Sequence, residues 1–255
     1  MMPAHRQNLI LERLERQSIV RVADLSREFG VTTETIRRDL EHLSEGGLVS
    51  RTHGGAVATE ALHHDRPFRD RSTQRLDEKS AIARAVVDDI QPGEILGLDM
   101  SSTSTVLAEL LPDVAITVVT NSAAIIQLLG SRPNVTIIAT GGVLDPQTMA
   151  FTGTIAEGTI KRFTFDRLFI SCRGIDPARG VGEASDELAR LKQCMIEAAG
   201  MVYVLADHTK FDRRPAFQCA GWDKIDCLVT DQDAPAHAVD AITKLQKTRI
   251  VTATA

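Results

Sequence analysis

Three groups of residues have the types and spacing to do chemistry. The first is Thr32-Thr33-Glu34-Thr35-Ile36-Arg37-Arg38-Asp39-Leu40. Ile36, Leu40 and Leu43 recur at i, i+4 and i+7, one face of a helix. Arg37 and Arg38 fall about 100° and 200° round from Ile36. Thr32 offers a hydroxyl to cap this helix, and Thr33 and Thr35 lie in its first turn. A helix that enters a DNA groove needs this arrangement, because its first turns reach base edges and Arg pairs with guanine O6 and N7 or with phosphate. A solvated helix with Glu34–Arg38 and Arg37–Glu41 pairs accounts for the same spacing. The neighbouring Ser50-Arg51-Thr52-His53-Gly54-Gly55 tips the balance. It is a short glycine-tipped ribbon whose Arg51 and His53 suit a phosphate backbone or the minor groove.

The second group is Asp99-Met100-Ser101-Ser102-Thr103-Ser104-Thr105. It follows a strand-like run and opens a helix-like one. Backbone N–H groups at a helix start, with the hydroxyls of Ser101, Ser102 and Thr103, make an anion site; a serine-rich N-cap is the plainer alternative. Similar loops follow at Thr120-Asn121, Gly141-Gly142 and Gly153, and loops at the carboxyl ends of parallel strands are where ligands bind. The third group is Asp207-His208-Thr209-Lys210-Phe211 with Gly182-Glu183. The Asp207 carboxylate and the Lys210 ammonium can hold a hydroxylated anion between them, or simply pair at a surface. Arg173 is a phosphate partner or a turn residue. Cys172 reads as a small buried hydrophobe, Trp222 as packing against a sheet, and His63-His64 as solvated.

The elements that must position these residues fall into two patterns. Residues 1–57 read as three short helices and a hairpin. Leu9, Ile10 and Leu14 give the first helical face, Val22, Leu25 and Phe29 the second, stopping at Gly30, and Ile36, Leu40 and Leu43 the third, stopping at Gly46-Gly47. That is the outline of a winged helix-turn-helix. Residues 58–78 lack clear periodicity, contain Pro67, and read as a linker with a short helix near Arg75. From Lys79, strand-like and helical runs alternate. The strands are expected at 95–99, 116–120, 135–140, 168–172, 201–207, 227–231 and 250–252, which implies an α/β unit with a doubly wound, mostly parallel sheet over 79–255.

Composition bounds the function. The chain has 255 residues, 43% apolar and 25% charged, with a net charge of −5. Such a chain is globular and needs no disulfide staples. Its four cysteines are scattered with no Cys-x-x-Cys, which argues against a zinc site and fits a reducing cytoplasm. No apolar run is long enough to span a membrane. Aromatics are only 4%, so stacking on single-stranded nucleic acid is not expected. Twelve of 22 Arg and no Lys precede Lys79, against 13 acidic residues. Any nucleic-acid site is therefore a small arginine patch, not a basic domain.

Thr35-Ile36-Arg37-Arg38-Asp39-Leu40, followed by Leu43, Gly46-Gly47, Leu48, Arg51 and His53-Gly54-Gly55-Ala56, resembles the signature of the DeoR family of bacterial transcriptional repressors. The resemblance covers almost the whole chain. Ser18 stands where the family usually has Gly, Arg21 where Ser or Thr caps the second helix, Thr32 where Ser is the commoner cap, and Ser101 where the family has the Gly of Asp-x-Gly-Ser/Thr-Thr. Asp207–Phe211 matches its Asp-x-x-Lys-Phe segment, and Phe169–Asp176 its strand and turn. The resemblance implies a sensor domain similar in fold to ribose-5-phosphate isomerase. It also implies a phosphorylated sugar or related metabolite as effector, operator DNA as partner, and a carbohydrate operon repressed until ligand binds. A symmetric operator needs at least a dimer, so a homodimer or homotetramer is expected, with no cofactor and no metal. The competing class is an aldose–ketose isomerase using Glu183 or Asp207 as base. An enzyme has no need of residues 1–57, and no acidic cluster around a glycine-rich turn supports it.

Overall fold

The computed structural model describes residues 2–17, 19–45, 48–58, 67–211, 213 and 215–254. Ser18, Gly46-Gly47, His63 and His64 lie outside the described residues. The chain divides into two compact units, 1–65 and 66–255.

In the first unit, α1 (Pro3–Gln17), β1 (Ile19–Arg21), α2 (Val22–Phe29) and α3 (Thr33–Glu45) precede the hairpin β2 (Val49–Thr52) and β3 (Gly55–Ala58). Ile10, Leu11 and Leu14 of α1, Leu25 of α2, and Ile36, Leu40 and Leu43 of α3 form its core. Leu9, expected on the buried face, is only half-buried; Leu11 takes its place. The buried stripe runs through Arg6, Ile10 and Leu14 at i, i+4, i+8, and Leu11 is buried beside it in the same core. Gly30 ends α2 with a left-handed φ of 63°. Arg21, at the N-cap of α2, makes no side-chain cap bond. The hairpin pairs antiparallel, and β1 adds to its other side in the order β1-β3-β2. A Cβ on Gly55 would lie 1.9 Å from the Val20 carbonyl oxygen, so only glycine lets the ribbon close on β1.

The second unit begins earlier than the expected Lys79. Helix α4 (Phe68–Ser72) and helix α5 (Leu76–Val87) both belong to it. Then come β4 (Ile95–Leu98), α6 (Ser102–Leu110), β5 (Ile116–Thr120), α7 (Ala123–Leu129), β6 (Val135–Ala139), the hairpin β7 (Val143–Asp145) and β8 (Ala150–Thr152), and α8 (Thr154–Ile160). After these follow β9 (Arg167–Ile170), β10 (Gly174–Asp176), β11 (Gly180–Glu183), α9 (Asp186–Glu197), β12 (Val202–Leu205), β13 (Phe217–Ala220), β14 (Cys227–Asp231), α10 (Ala236–Thr243) and β15 (Arg249–Ala253). The main sheet has the order β15-β14-β12-β9-β4-β5-β6, and every pairing in it is parallel.

Helices cover both faces of this sheet, so its central strands carry apolar residues on both faces and alternate between two cores. Leu168 and Ile170, Val202 and Val204, and Leu228 face one core with α8, α9 and α10. Phe169, Tyr203, Leu205 and Val229 face the other with α5, α6 and α7. Strands β4 to β6 run one way across the sheet and β9 to β15 the other, so the order reverses between β4 and β9. The crevice at the carboxyl ends of two such strands is where open α/β sheets take ligands. A separate three-stranded sheet, β10-β11-β13, and the β7–β8 hairpin complete the unit.

Candidate nucleic-acid interface and candidate effector site

On α3, Thr32 caps the helix by accepting from the Thr35 amide at 3.2 Å, and the two hydroxyls lie 2.9 Å apart. Thr32 and Thr35 are thus engaged with each other at the start of the helix, while the side chains of Thr33, Arg37 and Arg38 are exposed. Glu34 lies 3.6 Å from Arg37 and 3.9 Å from Arg38; the expected Arg37–Glu41 pair gives way to Arg37–Glu34. Exposed i,i+3 and i,i+4 pairs contribute only about 0.3–0.5 kcal/mol, so both guanidinium groups can exchange Glu34 for phosphate or base. Arg51 and His53 are exposed on the wing.

The residue that sequence reasoning missed here is Asp39. It is buried and accepts from Arg6 of α1, Nε–Oδ2 2.5 Å and Nη2–Oδ1 3.1 Å, and from Gln7 at 3.2 Å. The signal was legible: Asp39 shares the face of Ile36, Leu40 and Leu43, where a lone charge must find a partner.

In the second unit the parallel sheet puts every carboxyl-end loop on one edge. Asp99, fully buried after β4, is saturated. Its Oδ1 accepts from the Ser101 amide at 3.1 Å and the Ser104 hydroxyl at 2.7 Å. Its Oδ2 accepts from the Ser171 amide at 3.0 Å, across the switch point, and pairs with Lys192 at 2.9 Å. Lys192, on α9, also donates to the Ser171 carbonyl at 2.7 Å and to Glu183 at 2.5 Å. Burial alone would raise the Asp99 carboxyl; the Lys192 ammonium and the Ser101 and Ser104 bonds outweigh it and hold it low. Burial alone would lower Lys192, but Asp99 and Glu183 hold it well above its usual range. Asp99 and Glu183 therefore fix the geometry of the loops. Sequence reasoning missed Lys192, whose only signal is a cation on the buried face of an amphipathic helix.

Ser101 caps α6, accepting from the Ser104 amide at 3.0 Å, and Ser102 and Thr103 are buried in the first turn. Thr120 accepts from the Ser122 amide at 3.0 Å. Asn121 donates through Nδ2 to the Phe151 carbonyl at 3.3 Å, while its buried Oδ1 has no hydrogen-bond partner. Gly141 and Gly142 have φ of 65° and 109°, and a Cβ on Gly142 would lie 2.3 Å from the Thr152 carbonyl. Gly153, φ 86°, starts α8.

Asp207 after β12 is buried and accepts from the amide of Thr209 at 3.0 Å and from its hydroxyl. Burial would raise Asp207; Lys210 and the Thr209 bonds bring it down on balance. Lys210 is lowered by burial against the pull of Asp207, with Arg213 and Arg173 adding repulsion. Arg173 is half-buried, its amide bonded to the Gly182 carbonyl at 2.9 Å. Cys172 lies in the field of Lys210, Glu183, Lys192 and Asp207, and burial pushes its thiol up to about 12. It is an inert apolar group, as expected. Hydrogen bonds bring together Asp99, Ser101, Ser171, Glu183 and Lys192 around the switch point, Asn121 with the β7–β8 hairpin, and Asp207 with Thr209. Trp222 is buried in the core with α8, α9 and α10, donating to the Asp176 and Pro177 carbonyls at 3.2 and 3.0 Å.

His208, Asp231 and Asp233 bring potential ligand atoms within 4.8 Å of one another. His208 Nδ1 lies 2.9 Å from Asp231 Oδ1, and Nε2 lies 3.3 Å from Arg75 Nη1. A guanidinium only donates, so Nε2 accepts from it and is turned to a cation's donor rather than to a metal.

A winged helix-turn-helix followed by a parallel α/β unit with polar strand ends defines a DNA-binding regulator with a sensor domain. The model of the DeoR-like helix-turn-helix domain matches residues 6–61, and that of the DeoR C terminal sensor domain matches residues 74–232. The chain belongs to the DeoR family of transcriptional regulators. An L-fucose operon activator of Haemophilus influenzae is 36% identical over 231 residues, 91% of this chain and 93% of its own. The transcriptional repressor AccR of Agrobacterium fabrum is 32% identical over 248 residues, 96% of each. A solved ribose 5-phosphate isomerase A from Methanocaldococcus jannaschii is similar over 53% of this chain and 54% of its own, at 13% identity and a TM-score of 0.40. Family and relatives are regulators of transcription, and the isomerase reading is not favoured.

Proposed function

We propose that this regulator controls a carbohydrate-utilisation operon, repressing it until a phosphorylated sugar or sugar acid binds the second unit. In this reading Thr33, Arg37, Arg38, Arg51 and His53 touch operator DNA, with Thr32 and Thr35 setting the helix start. Effector binds at the strand ends, touching Ser102, Thr103, Asn121, Gly141, Gly142, Gly153, Arg173 and Lys210. Asp99, Ser101, Thr120, Glu183 and Asp207 hold those loops. The L-fucose relative is an activator by name and AccR a repressor by name. The protein acts in the cytoplasm as a homodimer or homotetramer; among the described residues no helix is long and apolar enough to cross a membrane.

The observation that carries the reading is Lys210. Its ammonium is lowered by burial against the pull of Asp207, with Arg213 and Arg173 adding repulsion, and among the described residues no hydrogen bond or ion pair engages it. A buried ammonium with donors to spare favours an anion. A thermal-shift screen against sugar phosphates and sugar acids tests this. A ligand at 100 times its Kd should stabilise by about 2.7 kcal/mol, or roughly 5–11 °C at this size. Lys210→Met should lose about 2–5 kcal/mol of that ligand's affinity while binding operator normally. Unchanged ligand affinity in Lys210→Met moves the pocket elsewhere.

A further inference from the structure

Residues 67–79 open the second unit and touch the candidate effector site on several sides. The Phe68 amide donates to the Gln147 carbonyl, 2.7 Å, in the turn of the β7–β8 hairpin. Helix α4 packs against α6, the helix that starts at Ser102. Lys79, a buried ammonium, donates to the Arg71 carbonyl and, at 2.6 Å, to the Gln74 carbonyl, tying the end of α4 to the first turn of α5. Among the described residues no carboxylate is hydrogen-bonded to it. Burial, opposed by Asp207 and reinforced by Lys210 and Arg71, brings Lys79 down to about 8. Arg75, with a left-handed φ of 53°, places Nη1 3.3 Å from His208 Nε2 and 3.6 Å from Glu78. His208 lies between Asp207 and Lys210 in the chain and is anchored twice on Asp231, by its amide at 2.7 Å and by Nδ1 at 2.9 Å.

We infer that residues 67–79 form a strap that reads the occupancy of the Asp207–Lys210 loop and passes it to the chain leading back to the winged unit, with Lys79 as its clamp and the Arg75–His208 contact as its link to the loop. The inference rests on the effector reading above. An anion beside Lys210 screens the charge that opposes Lys79, so the ammonium binds its two carbonyls more firmly and the strap tightens as the site fills. The same anion attracts the Arg75 guanidinium, whose bond to His208 Nε2 carries the pull to the loop. In sequence, residues 59–66 join the strap directly to the winged unit. A change in the strap's order therefore reaches the DNA-binding unit through the covalent chain. Coupling of this kind needs only that ligand favour one state of the strap over the other.

The test is hydrogen exchange of the full chain, read at 67–79 by mass spectrometry, with inorganic phosphate as probe against matched chloride. Exchange in the parent should slow several-fold with phosphate, and trypsin should cut more slowly after Arg69, Arg71 and Arg75. Arg75→Ala should still bind phosphate by calorimetry and operator DNA by gel shift, but phosphate should no longer change its operator affinity. His208→Asn cuts the same contact from the other side and should behave alike, so a folding failure of either variant leaves the other decisive. Phosphate binding that depends on Lys210, with exchange at 67–79 unchanged, overturns the strap and keeps the site. Failure of the parent to bind phosphate overturns both. A full phosphate response of operator affinity in Arg75→Ala or His208→Asn removes the link and with it the proposal.

Discussion

Lys192 shows what one buried charge does to a site. It stands between two buried carboxylates, 2.9 Å from Asp99 and 2.5 Å from Glu183, and also holds the Ser171 carbonyl. Such a pair adds little net stability against an apolar replacement of all its members, but removing one partner leaves uncompensated charge in a low dielectric. Lys192→Met should therefore cost about 3–5 kcal/mol, a fall in Tm of roughly 6–20 °C for a chain of this size. The loss should depend on pH with a definite sign. The native Asp99 carboxyl lies below its unfolded value. Its contribution is complete above the unfolded carboxylate range and is lost as pH falls through the native value. The parent's advantage over Lys192→Met should be largest at neutral pH and shrink below about pH 4. Denaturant titrations of both proteins from neutral to acid pH measure it, and a constant difference would remove the ion network as the cause. Little of this was legible beforehand. Asp99 was visible because it ends a strand before a run of hydroxyl residues. Lys192 was not, because a lysine on a helix is ordinarily solvated and its partners lie 93 and 9 residues away in the chain.

Periodicity reveals an element when one face is buried and its period is unbroken. Strands β5 and β14 lie where the apolar runs place them, Ile116–Thr120 and Cys227–Asp231, because both faces of a parallel sheet demand apolar residues. The β7–β8 hairpin and the β10-β11-β13 sheet escaped notice. Their strands are only three or four residues long, so neither alternation nor length marks them. Helix α5 begins at Leu76 rather than near Ser80, because its first turn, Leu76-Asp77-Glu78, is polar and partly exposed. Helix α3 was the clearest element, and its proposed role in reading DNA rests on how it is held. Asp39 and Arg6 join its buried face to α1, so the rotation that turns Arg37 and Arg38 outward is fixed by an ion pair as well as by Ile36 and Leu40. Arg37→Ala and Arg38→Ala should each weaken binding to operator, recovered by selection from random duplexes, by about 1–3 kcal/mol per half-site, with stability changed by only about 0.5 kcal/mol. Asp39→Asn should instead lower stability, since it leaves the Arg6 guanidinium buried and without its carboxylate. Gel-shift titration beside thermal melts separates the two classes. Unchanged affinity in both arginine variants would remove this helix from the interface.

At the scale of the molecule, the two units divide the labour, and the boundary between them decides what can work alone. One winged helix reads only a few base pairs, so specific operator binding calls for at least two copies. The second unit, with its own two cores on either side of one sheet, is where we propose that copies assemble. Expressed alone from Pro67, it should fold, sediment as a dimer or larger species, bind effector, and fail to bind operator. A fragment that starts at Lys79, where the sequence pattern changes, should be less stable. It lacks α4 and the turn whose Arg71 and Gln74 carbonyls receive the Lys79 ammonium. A buried donor left without its acceptors costs about 1–3 kcal/mol, more when it is charged. The group already titrates near 8 with those acceptors in place, so without them it should shed its proton at lower pH, and the shorter fragment should recover part of its deficit as pH rises from 7 to 9. Equilibrium denaturation of the two fragments at both pH values checks this, alongside sedimentation of each. Equal stability would return residues 67–78 to the linker. A well-folded monomer from Pro67 would place assembly in the winged unit or in residues 59–66.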